Sequence, residues 1–448
     1  MFRRHVLAVL TLAVVWPPPS AEAQHQHEHT PPAVAASPAP TSAASPAAAP
    51  APTLFESDMS RMAGMTPRDP MAEMEMPSWS LMTMGIVRLQ YNRQGGPSGD
   101  EVVESSNWAM GMAQRDLAGG RVTVMLMNSL EPATFHHGGT PELFQTGEAL
   151  EGQPLVDRQH PHDFFMNLSV TYRRPVGRGA LWLQLAPVGE PALGPVAFMH
   201  RASAGENPTA PLGHHWQDSS HITNNVITVG GGRGRVGVEA SVFHGREPDE
   251  HRWNIDGGAP DSVSGRVKLL IGRGWSAQVS HGFVKDAEQL VEGDLRRTTA
   301  SLHYGAEGDR PWALTFLWGR NAEDHGTSDS LLAEAAWQAT ARDHLYARAE
   351  WVEKDLELLA TKHLHDDDDA HGGASEDEAT VPVKAFTAGY VRSFDLWRSV
   401  NVGLGADITL YGVDPALHEA YGSWPVSTHV FARLRWGRPH GASAHAGH

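Results

Sequence analysis

The chain contains no cysteine among its 448 residues. Disulfide bonds, thiolate metal sites and a lipid-anchoring cysteine after a signal peptide are therefore excluded. Basic residues are also scarce, since 35 Lys and Arg stand against 52 Asp and Glu, and the formal net charge is −17. Such an acidic chain repels phosphate backbones and attracts cations, which argues against a nucleic-acid partner.

Long apolar segments are missing as well. Beyond the N-terminus, no uncharged run of the roughly 20 residues that a transmembrane helix requires is also apolar, since the one long uncharged tract, residues 29–55, is interrupted by many prolines. The N-terminus has a positive start, MFRR, an apolar stretch, HVLAVLTLAVVW, and a small-residue motif, AEA, before Gln24. These features predict a signal peptide over residues 1–23 and hence export. Any later membrane insertion must then use β-strands.

Residues 24–78 are predicted to form a disordered periplasmic leader. The first half is rich in Ala, Pro and Ser and cannot bury a core. The second half concentrates methionines, while its prolines exclude a long helix. Thioethers are soft ligands that select copper(I). The leader methionines are therefore secondary candidates for weak metal binding: Met59, Met62, Met65, Met71, Met74 and Met76.

From about Trp79 the hydrophobicity alternates with a period of two, which is typical of half-buried β-strands. In FFMNLSVTYR, this alternation places Met166 and Val170 on the opposite face from Asn167 and Thr171. About 16 such strands are joined alternately by tight turns and by longer loops. A soluble sandwich also has alternating strands, but only an outer-membrane barrel requires short periplasmic turns and long external loops.

The sequence therefore predicts an all-β fold, a transmembrane antiparallel up-and-down β-barrel of about 16 strands over residues 79–437. The leader and the His-containing tail, residues 438–448, would lie in the periplasm of a bacterial cell. Outer-membrane lipid and the barrel-assembly machinery are the expected partners. Inward-facing positions of the strands carry mixed charges, as expected for a polar lumen: Arg88, Glu239, His303, Arg348, Glu350, Arg433 and Arg435.

Two histidine-rich motifs, DRQHPHDFF (157–165) and GHHWQDSSHI (213–222), enter predicted strands from the second and third external loops. Imidazole and carboxylate groups suit copper(II), zinc and nickel. With the segment PVAFMHR, the motifs provide these candidate metal ligands: His160, His162, Asp163, Met199, His200, His214, His215, Asp218 and His221. Alternatively, these side chains hydrogen-bond the loop backbone and fix the loops inside the barrel. A further acidic loop adds weaker candidates: His363, His365 and His371.

The pair of motifs resembles one carried by a set of uncharacterised outer-membrane β-barrel proteins, which implies fold and location. The order of signal peptide, Met- and His-rich leader and barrel is architecturally similar to outer-membrane copper-resistance protein B. This resemblance implies copper as the bound metal, and metal tolerance or efflux as the role.

Three functions are therefore open. The favoured function is an outer-membrane barrel that binds or conducts transition-metal ions, copper above all. The alternative is a general porin for small solutes. The third is a hydrolase resembling outer-membrane phospholipase A, which would pair Ser219 or Ser220 with His162 or His221. The chain lacks the GxSxG, HExxH and P-loop motifs, so we do not expect an enzyme.

Overall fold

The computed structural model describes residues 77–272, 274–288, 293–306, 310–324, 326–361, 379–397 and 400–437. The predicted signal peptide, the leader up to residue 76 and the tail lie outside these ranges. The leader methionines from Met59 to Met76, and the loop histidines His363, His365 and His371, also lie outside the described residues.

Sixteen strands form one closed antiparallel barrel, and four short strands pair within a loop. The strands are β1 (Ser80–Arg93), β2 (Glu101–Leu117), β3 (Gly120–Asn128), β4 (Thr140–Pro141), β5 (Glu148–Leu150), β6 (Gln153–Leu155), β7 (Arg158–Gln159), β8 (Phe165–Val176), β9 (Gly179–Gly189), β10 (Thr223–Arg233), β11 (Val236–His244), β12 (Ser262–Gly272), β13 (Trp275–Val284), β14 (Leu295–Ala306), β15 (Trp312–Glu323), β16 (Gly326–Gln338), β17 (Asp343–Asp355), β18 (Thr380–Trp397), β19 (Val400–Gly412) and β20 (Val426–Trp436).

Helices are short and lie in loops. They are α1 (Glu131–Thr134), α2 (His214–Gln217), α3 (Leu356–Thr361) and α4 (His418–Tyr421), with 3₁₀ turns at Phe198–His200, Ser219–His221 and Pro415–Leu417. Across the described ranges, none of these helices has the length and apolar character needed to cross a membrane.

The predicted barrel is confirmed, including the strand number. Each barrel strand pairs with its neighbours along the chain, and β1 closes the ring by pairing with β20. The connections at one end are tight, as at residues 118–119, 177–178 and 234–235. The other end carries long segments, including residues 129–164 and 190–222, although Glu323 of β15 pairs directly with Gly326 of β16.

The outer surface of the barrel is apolar. On β9, Leu181, Leu183 and Leu185 are 57%, 41% and 49% exposed. Inward positions on β1 are polar and buried, as for Gln90 and Asn92. A band of exposed aliphatic side chains around a wall whose backbone groups pair in a closed ring is the arrangement that lipid requires.

Two long connections fold into the lumen, and we call residues 129–164 and 190–222 the plug. Apolar side chains of the plug pack against the barrel wall and the other loops, as in the contact of Phe144 with Tyr411 and Tyr421. The centroid of the Phe144 ring lies 4.3 Å from that of Tyr421. The core of the protein is therefore built between the wall and the plug.

One predicted strand face is wrong at Met166. The pairing of β3 with β8 shifts between Met127–Asn167 and Asn128–Phe165, which marks a β-bulge. Met166 at this bulge is only 2% exposed and packs with Met110 inside the barrel. An extra residue breaks the period of two, so sequence alternation could not place this side chain.

Candidate metal centre

A buried arginine of the plug holds the plug to the barrel wall. Arg201 donates from Nε to Glu334 Oε1 of β16 at 2.6 Å, and its Nη1 donates to Asp218 Oδ2. The three side chains are at most 1% exposed. Ionised groups removed this far from water are stable only when paired and hydrogen-bonded, so the triad ties the segment 190–222 to the wall.

A second anchor, at Glu206, joins the same segment to another strand of the wall. Its carboxylate accepts bonds from Arg433 Nε at 2.8 Å and from Arg435 Nη1 at 3.1 Å, both on β20. Arg88 of β1 donates to the backbone oxygen of Gly205 at 3.1 Å. Burial acts to raise the pKa of Glu206, but the arginines outweigh burial and lower it to about 2. The carboxylate is therefore ionised at neutral pH.

Other inward charges also bind the plug or one another. Arg348 donates to the backbone oxygen of Ala210 at 2.8 Å, and Glu350 accepts from the backbone N–H of Leu212 at 2.7 Å. Glu239 lies 2.9 Å from both Arg266 Nε and Lys268 Nζ. His303 is fully buried and hydrogen-bonds Ser301 and Thr315. The charged wall residues that the sequence predicts in the lumen do point inward. There, the hydrogen bonds and ion pairs described above engage their side chains.

Glu148, His160 and His215 form a compact group in the plug. Their potential ligand atoms all lie within 4.8 Å of one another. His160 Nε2 is 2.8 Å from Glu148 Oε1, and the centroids of the two imidazole rings are 6.1 Å apart. Glu148 and His160 belong to one plug segment and His215 to the other, so the site exists only because both segments fold inward. Two imidazoles and a carboxylate are a ligand set for a first-row transition-metal ion.

Neighbouring charges set the protonation of this group. Burial lowers the pKa of His160, although Glu148 partly opposes that effect. Burial acts to raise the pKa of Glu148, but His160 and Arg252 outweigh it and lower the pKa. Burial also disfavours protonated His215, but Glu247 and then Glu148 raise its pKa overall. The group thus offers a carboxylate and a neutral imidazole, the forms that bind metal ions.

Gly147 holds the space into which the His215 ring fits. Its φ of +115° favours glycine, and a Cβ built there would lie 2.6 Å from His215 Cγ. We expect Gly147→Ala to displace the imidazole and weaken divalent-metal binding at least about tenfold, the lower range for disturbing the surroundings of a ligand. Titration of the purified protein with Cu(II) or Zn(II) measures the effect.

Gly152→Ala is the matched control for this substitution. Gly152 also has a positive φ, of +75°, but no atom lies within 4 Å of the Cβ position. The Gly152→Ala variant therefore introduces the backbone strain of an alanine at positive φ without touching the site. Equal metal affinities for the two alanine variants would contradict the assigned role of Gly147.

Three other predicted ligands form a second histidine group around Phe198. The ring centroid of His221 lies 5.2 Å from that of His214 and 5.5 Å from that of His162. Each Nδ1 is held by an oxygen, namely Glu131 for His162, the side chain of Asp218 for His214 and the backbone of Asp218 for His221. This pattern orients the Nε2 atoms as carboxylates orient metal-bound histidines.

Burial keeps His214 and His221 of this second group neutral. It lowers the pKa of His214 to about 4, against the pull of Asp218, and the pKa of His221 falls well below the usual value. The buried Nε2 of His221 has no hydrogen-bond partner among the described residues. Unlike those of the first group, the potential ligand atoms of these three histidines do not all lie within 4.8 Å of one another, so a bound ion would require the rings to move.

The remaining predicted ligands lie elsewhere. Asp163 is 3.4 Å from Arg252, and Asp218 is bound by Arg201 and His214, so both carboxylates already have cationic or hydrogen-bonding partners. Met199 and His200 lie on the periplasmic side of the plug, in a separate cavity. Burial, together with the neighbouring His162, lowers the pKa of His200 to about 4.

The hydroxyls required for a hydrolase are engaged with other groups. Ser219 Oγ is 3.3 Å from Glu247 Oε1 and accepts from Arg297 at 2.8 Å. Ser220 Oγ donates to the backbone oxygen of Leu193 at 3.2 Å. A nucleophile must lie within hydrogen-bond reach of its base, and these serines bond no imidazole in the described structure.

Sequence reasoning missed Glu148 and the groups that hold the histidines. Glu148 stands in GEAL, Glu131 in LEPAT and Arg252 in HRWN, and none of these segments has a ligand-like spacing. The residues reach the site only through the folding of the plug. A buried carboxylate facing a histidine would have indicated these residues, but this arrangement can be seen only in the three-dimensional structure.

The closed ring and its apolar exterior define the class of protein: this chain is an outer-membrane β-barrel of 16 strands. No protein-family profile and no curated protein matches it. The fold is similar to an anion-selective porin from Comamonas acidovorans, with a TM-score of 0.49 and 12% identity over 80% of this chain and 100% of that one.

It is also similar to OprB of Pseudomonas putida, with a TM-score of 0.49 and 10% identity over 81% of this chain and 94% of that one. A further match is OmpF of Salmonella typhi in complex with daunomycin, with a TM-score of 0.48 and 10% identity over 80% and 97%. The assignment of the fold rests on the strand order of this chain. The resemblance to copper-resistance protein B gains no support from these comparisons.

Proposed function

We propose that this outer-membrane barrel binds a divalent transition-metal ion in its plug, with copper as the preferred metal and metal tolerance or efflux as the role. The observation that carries the proposal is the convergence of Glu148, His160 and His215 within 4.8 Å. The acidic chain favours cations in general, and imidazoles favour borderline first-row ions over calcium or magnesium. The bonds between plug and wall argue against a wide, open porin.

The test is metal titration of the full-length protein purified in detergent. We expect His160→Asn/His215→Asn to bind Cu(II) at least about 100-fold more weakly than the unchanged protein, since even outer-shell losses cost about 10- to 100-fold. His251→Asn serves as the control, because the side chain of this loop histidine is 74% exposed and pairs with Asp249 rather than with a member of the group. Equal affinity for Cu(II) in the double variant and the unchanged protein would refute the proposal.

The choice of metal is tested with the same proteins. Copper(II) should bind more tightly than nickel(II) or zinc(II), as the usual order of affinities for nitrogen and oxygen ligands requires. A site that binds zinc as tightly as copper would retain the metal-binding function but would contradict the preference for copper.

The alternative function, a general porin, predicts a large conductance in planar bilayers that added copper leaves unchanged.

A further inference from the structure

Methionines are aligned across three neighbouring strands of the barrel wall. Met82 pairs with Met112 and Met84 with Met110 between β1 and β2. Met112 pairs with Met125 and Met110 with Met127 between β2 and β3. Paired residues point to the same face, with Cβ atoms about 4.5–5.5 Å apart. The lumen wall thus carries two methionine rows: Met82–Met112–Met125 and Met84–Met110–Met127.

The plug supplies two more donors opposite this wall. Met199 packs against the methionine cluster, and the His200 ring contacts Trp108 edge-on at 5.0 Å. Both residues line a cavity of about 310 Å³ with four of the row methionines: Met82, Met84, Met110 and Met112. Within the described part of the chain, the ring nitrogens of His200 have no hydrogen-bond partner. This half-buried imidazole, which lines the cavity, is available to a ligand.

Among the described strands, methionine is confined to the inward face. On β3, the inward Met125 and Met127 alternate with Val124 and Leu126, and Leu126 is 42% exposed on the outer face. The described chain holds eight methionines, and all of them lie in the apolar cluster or line the cavity: Met82, Met84, Met110, Met112, Met125, Met127, Met166 and Met199. Leucine would fill the same volume and is used on the other face.

The cavity also lies where an ion would leave the plug toward the periplasm. Its lining includes Pro311 and Gln338 beside the short turns, and Trp436 at the end of β20. The short-turn end of an outer-membrane barrel faces the periplasm. His200 shares a 3₁₀ turn with Phe198, whose ring stacks on His162 of the second histidine group with the centroids 6.3 Å apart. In the direction of the periplasm, the histidine ligands of the plug are therefore followed by the thioether groups of the cavity.

We propose that the two methionine rows, with Met199 and His200, form a binding site for a soft monovalent metal ion, Cu(I) or its analogue Ag(I). Thioethers select Cu(I) over zinc, calcium and magnesium, and imidazole is a compatible additional ligand. The inference deepens the proposed function and rests on it for the biological metal. The site itself depends only on the geometry of these side chains.

The experiment uses the full-length protein in detergent, with Ag(I) alone as the probe and ¹³C-methyl-labelled methionine as the reporter. The variant Met84→Leu/Met110→Leu/Met112→Leu conserves side-chain volume, and such exchanges are usually tolerated. We expect it to lose Ag(I) affinity at least about 100-fold. The control, Met59→Leu/Met62→Leu/Met65→Leu, makes the same change in the leader and should keep the barrel site.

In the unchanged protein, Ag(I) should shift methyl signals that the barrel variant lacks. Unaltered Ag(I) affinity in the barrel variant, or shifts confined to signals that the leader variant lacks, would overturn the inference. Should the barrel variant fail to fold, Met199→Leu/His200→Gln on the plug gives the same test, with an expected loss of at least about tenfold.

Failure of this inference can be told apart from failure of the proposed function. The barrel methionine variant should keep its Cu(II) affinity, and His160→Asn/His215→Asn should keep its Ag(I) affinity. Unchanged Ag(I) binding in the methionine variant refutes the thioether site while the divalent site stands. Unchanged Cu(II) binding in the histidine variant refutes the divalent site and leaves the thioether site supported.

Discussion

Arg201→Met is expected to detach the plug from the barrel wall. The substitution conserves length but leaves Asp218 and Glu334 buried without their shared cation. Breaking a buried ion pair in this way costs about 3–5 kcal/mol. If that loss falls on the plug, the population of detached plug rises about 100-fold or more, since each 1.4 kcal/mol is a factor of ten. Solute uptake by proteoliposomes should increase, and proteases should cleave within residues 190–222.

Two controls separate this effect from general damage. Arg320→Met removes an arginine from an exposed pair with Asp329, whose N–O distance is 2.6 Å, and should cost less than about 1 kcal/mol. The triple variant Arg201→Met/Asp218→Asn/Glu334→Gln removes all three charges and should restore much of the closed state. Solute uptake that stays at the level of the unchanged protein in Arg201→Met would show that the triad does not hold the plug.

The wall of the barrel was predictable because its rules are local. A period of two, turn residues and the alternation of loop lengths can be read along the chain, and the structure confirms a closed ring of 16 strands. Where the period of two is interrupted, the predicted face of a side chain is wrong. The bulge at Met166 turned a side chain inward that simple alternation had placed with Val170.

The site was only partly predictable, since its partners are distant in sequence. The histidine motifs attract attention by composition, but only the folded plug brings His160 and His215 into one group with Glu148. Arg201 and Glu334 are 133 residues apart, and no local pattern joins them. The methionine rows required strand register as well, because Met110 pairs with Met84 and Met127 only in that register.

Glu206→Gln is expected to make the lumen select anions. Glu206 is 6% exposed and is the carboxylate that Arg433 and Arg435 share, while Arg88 bonds the adjacent backbone. The glutamine has nearly the same shape but no charge, so the three guanidinium groups lose their nearest counter-charge. A low-dielectric cleft lined by one sign of charge concentrates ions of the opposite sign. The reversal potential across a planar bilayer in a KCl gradient should shift toward chloride.

Glu104→Gln is the control for charge alone. Glu104 is also an inward, buried carboxylate, but Gln90 and Thr140 hydrogen-bond it, and no arginine of the described ranges pairs with it. Both variants remove one negative charge, yet only Glu206→Gln unmasks arginines. The shift toward chloride should therefore be much larger for Glu206→Gln. Equal reversal potentials in the two variants would mean that net charge, rather than the arginines around Glu206, sets the ion preference of the lumen.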